Sequence, residues 1–118
     1  MALRRLRIVV FPETTKAWMA RCLEHDLAAV GRTAEAATDA LVRVASAHIA
    51  YDIRHGRPPL SGFGAAPRSY WHAFAGATAK SRPVELVRAE PDGDLSCLVS
   101  VMQENPATLR RVPPYRIA

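Results

Sequence analysis

Sulfur chemistry is scarce in this chain: 118 residues hold two cysteines, Cys22 and Cys97. They stand far apart and lack CxxC spacing, which argues against a thiolate-held zinc or a dithiol redox centre. In apolar, strand-like surroundings they should behave as small hydrophobes, and no disulfide is indicated. Long hydrophobic runs are missing as well. Nothing approaches the ~20 apolar residues that span a bilayer, and no basic stretch followed by an apolar one opens the chain, so the expectation is a cytoplasmic protein with no membrane partner. Gly62 and Gly64 are not followed by the lysine or third glycine that a phosphate-cradling loop needs. Ser61, Ser69 and Ser96 carry no nucleophile-elbow pattern, which disfavours an ordinary hydrolase.

What is present describes a folded domain. A hydrophobic fraction of 49% against 23% charged residues is that of an ordinary globular protein, and the length suits one domain around one core. The formal charge of +5 would draw the chain toward anions. Much of the excess, however, lies in Arg4, Arg5 and Arg7 at one end and Arg110, Arg111 and Arg116 at the other. Solvated charge explains that distribution at least as well as a nucleic-acid surface, and the sequence leaves nucleic-acid binding open.

Alternation from Leu6 to Phe11 predicts a first strand, and Pro12 to Lys16 supplies turn chemistry before a second from Ala17 to Leu23. Glu24, His25 and Asp26 make a polar break, and Leu27 to Val30 reads as a short third strand ending at Gly31. Thr33 is a suitable N-cap for a long helix beginning at Ala34, with Glu35 in its first turn. Ala37, Leu41, Val44, Ala45, Ile49 and Ile53 form its apolar stripe, and Gly56 followed by Pro58 and Pro59 ends it. A shorter helix is predicted from Pro67 to Thr78, with Tyr70, Trp71, Phe74 and Ala77 on its apolar side. Two further strands, Val84 to Ala89 and Leu95 to Met102, would join through an Asp-Gly turn, and a proline-containing tail would occupy 105–118. The expected fold is therefore α+β: an antiparallel sheet of three to five strands, one long helix packed across it and a second, shorter helix, all within 1–104.

The segment from Cys22 to Ala37, CLEHDLAAVGRTAEAA, preceded by the Leu6 to Pro12 strand, resembles the HicB-like antitoxin domain. That family shows two strands, a short third strand ending in Gly-x-Thr, and a helix with an acidic, alanine-rich first turn; here Gly31 and Thr33 fill those places. The resemblance covers about the first half of the chain. It implies a three-stranded antiparallel sheet under one long helix and a role in neutralising a small, basic HicA-like toxin by direct binding. Many members add a helix-turn-helix or ribbon-helix-helix segment for promoter binding. No such pattern follows Gly56, so promoter binding is not expected and a stand-alone member without a toxin is the alternative.

Three groups of residues are candidates for function. His48, Asp52 and His55, spaced four and three, fall on one helix face and could hold a metal, yet their closeness to the apolar stripe favours a structural role; neither a metal nor a cofactor is expected. Lys16, Trp18, Glu24, His25 and Asp26 form the proposed partner-binding set, because carboxylates in a turn would suit a basic toxin. Strand one holds no Asp or Glu between Leu6 and Phe11, which argues against a carboxylate cluster of the ribonuclease H kind. Ala47 and Ala50 on the long helix, with Tyr70, Trp71 and Phe74, make up a proposed oligomer interface, small residues allowing close approach and aromatics supplying area. The sequence reading is thus a non-enzymatic, homo-oligomeric binding domain, with a self-assembling accessory protein as the alternative.

Overall fold

A computed structural model describes residues 4–80, 82–90 and 93–104. The tail at 105–118 and the residues at 91–92 between the last two strands lie outside the described residues. Seven elements follow in order: β1 (Arg4–Thr14), β2 (Ala17–Cys22), β3 (Ala28–Gly31), α1 (Ala34–Arg54), α2 (Arg68–Lys80), β4 (Val84–Glu90) and β5 (Gly93–Val101). They build an α+β fold with a five-stranded sheet in the order β3-β2-β1-β5-β4.

The sheet is mixed. β1, β2 and β3 pair antiparallel, as do β4 and β5, but β5 lies parallel to β1, with Ile8 opposite Val99. The antiparallel sheet expected from the strand pattern is thus modified at one pair. β1 also runs on to Thr14, through residues assigned to the turn, and its register with β2 shifts between Pro12 and Thr14. A proline is tolerated there because β5 pairs with β1 only as far as Val10, so the missing Pro12 N–H faces no strand on that side.

Because β1 is central, both of its faces are buried and the core divides in two. Leu6, Ile8 and Val10 turn toward α1 and pack with Ala20, Cys22, Leu41 and Ala45. Val9 and Phe11 turn the other way, with Met19 and Leu23, toward Tyr70 and Ala73 of α2. The single expected core is therefore two, one on each face of the sheet. α1 covers the β3-β2-β1 side of its face, whereas α2 lies over β1 and β5 on the opposite face.

The junction from β3 to α1 explains the Gly-x-Thr spacing. A Cβ on Gly31 would overlap the Ala37 backbone nitrogen and sit 2.7 Å from the Ala36 carbonyl carbon, so the helix can reach this close only over glycine. Thr33 then caps it, its hydroxyl accepting from the Ala36 N–H at 3.0 Å. The buried face of α1 is Ala37, Thr38, Leu41, Val42, Ala45, Ile49 and Asp52. Val44 and Ile53, assigned to the apolar stripe, instead stand at the exposed margin. Thr38 and Asp52 join the buried face in their place, the Thr38 hydroxyl donating to Ala34 O and the Asp52 carboxylate accepting from the Leu60 N–H.

Candidate interaction surfaces

The proposed partner-binding residues occupy two opposite ends of the sheet. Lys16 lies in the β1–β2 turn, and Trp18 at the start of β2 is half-buried against the α1-side core. Glu24, His25 and Asp26 follow the other end of β2, whose six residues at ~3.3 Å each separate the two groups by about 20 Å.

The turn at Glu24–Asp26 is not a freely exposed loop. The chain returning from α1 is laced to it: Asp26 N–H donates to Gly64 O at 2.7 Å, and Ala66 N–H donates to Leu23 O at 2.9 Å. His25 Nδ1 lies 3.4 Å from Phe63 O. Both carboxylates are engaged within the chain. Glu24 accepts from the Arg7 backbone N–H at 2.7 Å and from Arg7 Nε at 2.6 Å, and the Arg7 guanidinium lies 4.6 Å from the centre of the Trp71 ring. Asp26 pairs with Arg21 at 2.7 Å, and Arg21, almost wholly buried, stacks 4.5 Å over Tyr70. Much of the negative charge expected to steer a basic partner is therefore compensated inside the fold.

His48, Asp52 and His55 have structural occupations. Asp52 Oδ2 accepts from the Leu60 N–H at 2.8 Å and holds that residue at φ +62, an unusual conformation for leucine. His48 meets Phe63 edge-on at 4.9 Å, and His55 stacks on Tyr51 at 4.1 Å. Among the described residues no group of three or more His, Cys, Asp or Glu side chains is placed to hold a metal ion. Burial pushes the Cys22 thiol up to about 12 and the Cys97 thiol up to about 11, as suits inert core residues.

The proposed oligomer set also divides. Tyr70 is fully buried in the chain's own core, and Trp71 and Phe74 pack against the same cluster, with Trp71 Nε1 donating to Ala66 O at 3.1 Å. The aromatic side of α2 is thus spent inside the monomer, since it covers the second face of the sheet. Ala47 is exposed and Ala50 half-exposed on the outer side of α1.

Sequence reasoning missed the open surface on either side of β4, at the edge of the sheet. On the α2 side, Arg5, Arg7, Glu24, Glu85, Ser96 and Leu98 line an open groove of ≈ 540 Å³. There Ser96 Oγ donates to Glu85 Oε1 at 2.9 Å, and Leu98 remains 40% exposed. On the α1 side, Ala34, Glu35, Asp39, Val84, Leu86 and Val101 border an apolar groove of ≈ 390 Å³, spanned by the ion pair between Arg88 and Asp39 at 2.8 Å. Between the two grooves runs β4, an edge strand with Val84 59% and Val87 62% exposed. The signal was the pattern Val84-Glu85-Leu86-Val87-Arg88, which places apolar side chains on both faces of one strand. No helix among the described residues is long and apolar enough to cross a membrane.

Compared with family models, curated proteins and solved structures, the chain matches none of them.

Proposed function

We propose that this chain is a HicB-like antitoxin or antitoxin-derived binding domain, which sequesters a small basic partner protein by direct contact and performs no reaction of its own. The observation that carries the reading is the β1-β2-β3-α1 unit, in which Gly31 lets the helix close onto the sheet and Thr33 caps it, as the resemblance implies. The partner's place is the α2-side groove, where Glu85, which accepts from the neutral Ser96 hydroxyl, stands beside the exposed Leu98, while Glu24 is already paired with Arg7. Of the residues first assigned to the partner, Glu24 alone reaches this groove; Lys16 and Trp18 serve the opposite end.

The test is affinity purification of the tagged full chain from its host, followed by separate expression of any stoichiometric small basic protein recovered. The expected outcome is that this protein arrests growth alone, that co-expression of the chain relieves the arrest, and that Glu85→Lys with Leu98→Asp weakens the complex at least tenfold. Recovery of only the chain itself, or a complex indifferent to both substitutions, refutes the reading. The open apolar edge of β4 favours a second reading, a self-assembling accessory protein without a toxin.

A further inference from the structure

The two edges of the sheet are unlike. β3 is four residues long, and α1 packs closely over it. β4 is seven residues long, and within Glu85 to Arg88 it has no proline, no bulge and no lysine; its charges there are Glu85 and Arg88, which flank the apolar Leu86 and Val87. Its most exposed apolar side chains, Val84 and Val87, lie on opposite faces, so no single helix laid on the sheet would cover both.

We infer that β4 pairs with β4 of a second copy of this chain, antiparallel about a two-fold axis at Val87, to give a continuous ten-stranded sheet. A closed dimer made through one edge strand requires this geometry: a two-fold perpendicular to the sheet turns the strand antiparallel to itself and keeps each face continuous. Only registers that place residues of the same face opposite each other are then allowed. Centring the axis on Glu85 or Arg88 would set like charges directly opposite, which is unfavourable. Centring it on Val87 sets the most exposed apolar side chain against its own copy, places Arg88 opposite Leu86 of the second copy, and brings Glu85 opposite position 89. Aligned in this way, the grooves on both faces of the sheet border the junction, the α1-side one through Val84 and Leu86 and the α2-side one through Glu85. The inference does not depend on the antitoxin reading.

Light scattering of the full chain over about 1 to 100 μM tests it, because an interface of little more than one strand pair should be of micromolar strength. The expected species has twice the chain mass of 12.9 kDa and falls to monomer on Val87→Lys, with an unchanged circular dichroism spectrum since Val87 is exposed. Under mild oxidation Val87→Cys should give a disulfide-linked dimer on a non-reducing gel, whereas Leu98→Cys, exposed but away from the axis, should not. This cross-link keeps the test decisive even if the lysine variant folds poorly. A monomer at every concentration overturns the inference, and so does a dimer that Val87→Lys leaves intact and Val87→Cys does not cross-link.

Discussion

Replacing Asp52 separates its structural duty from a catalytic or metal-binding one. Its carboxylate is 8% exposed as a residue and accepts from the buried Leu60 N–H at 2.8 Å, while Arg57 Nε lies 3.8 Å from its other oxygen. Asp52→Ala leaves the Leu60 N–H without its acceptor in a loop already strained at φ +62. Losing a charge-assisted hydrogen bond and stranding a buried donor should cost about 2–3 kcal/mol. Asp52→Asn keeps an acceptor oxygen and should cost about 1 kcal/mol. Urea unfolding followed by tryptophan fluorescence reads the difference, since a slope of roughly 1–3 kcal/mol per molar turns the alanine variant's loss into a midpoint lower by about 0.7 to 3 M. Equal losses for the two variants, or a loss for alanine under about 0.5 kcal/mol, would refute the account. So would a zinc-dependent rise in midpoint that vanishes on His48→Ala, because the two histidines would then be ligands.

Three further outcomes are expected. Both cysteine thiols are neutral in the fold well above their usual pKa of 9.0, so unfolding should gain ionisation free energy as pH rises: stability holds below about pH 9 and declines from there toward pH 11 to 12, and Cys22→Ala with Cys97→Ala should flatten that decline in unfolding curves. Gly31→Ala must push α1 off β3 and should lower stability by about 3 kcal/mol in denaturant titration, whereas Gly31→Ala tolerated within about 0.5 kcal/mol would contradict the close approach. Asp26→Ala removes the carboxylate paired with the buried Arg21 guanidinium, which keeps its contacts with Tyr70, and should cost about 2–3 kcal/mol, more than Arg21→Met, which leaves behind a carboxylate that can reach water; the reverse order in matched unfolding curves would show that the pair does not act this way.

The local parts of this fold were readable because local chemistry determines them. Thr33, Gly31 and Gly56 mark helix and strand boundaries through their own backbone needs, and the positive φ of 67 at Gly56 is where the helix was expected to stop. Strand order was not readable, since inserting β5 between β1 and β4 depends on side chains distant in sequence. The alternation of β1 marked its two faces but not that both are buried: Val9 and Phe11 are as deeply buried as Ile8 and Val10, and the second helix across the sheet explains why. The acidic turn misled for a related reason. Glu24 and Asp26 have as partners Arg7 and Arg21, which neighbouring strands bring alongside, so charges that look free in sequence are neutralised in space. The exposed β4 was legible only as a strand, because whether its valines are covered is decided by where the helices lie.

The parallel pairing of β1 with β5 also orders events in time. β1, β2, β3 and α1 lie next to one another in the sequence and can assemble through short loops, but β1 must wait for its other neighbour until both helices have been synthesised. During that interval a strand whose Leu6, Ile8, Val9 and Val10 are all buried in the folded protein has one open side, from Arg4 to Val10. A nascent or truncated chain lacking β5 is therefore an open-sided template, able to take up an extended strand from a neighbour in place of its own. Arrest of synthesis before β5 should send this protein into aggregates rather than into a smaller folded domain.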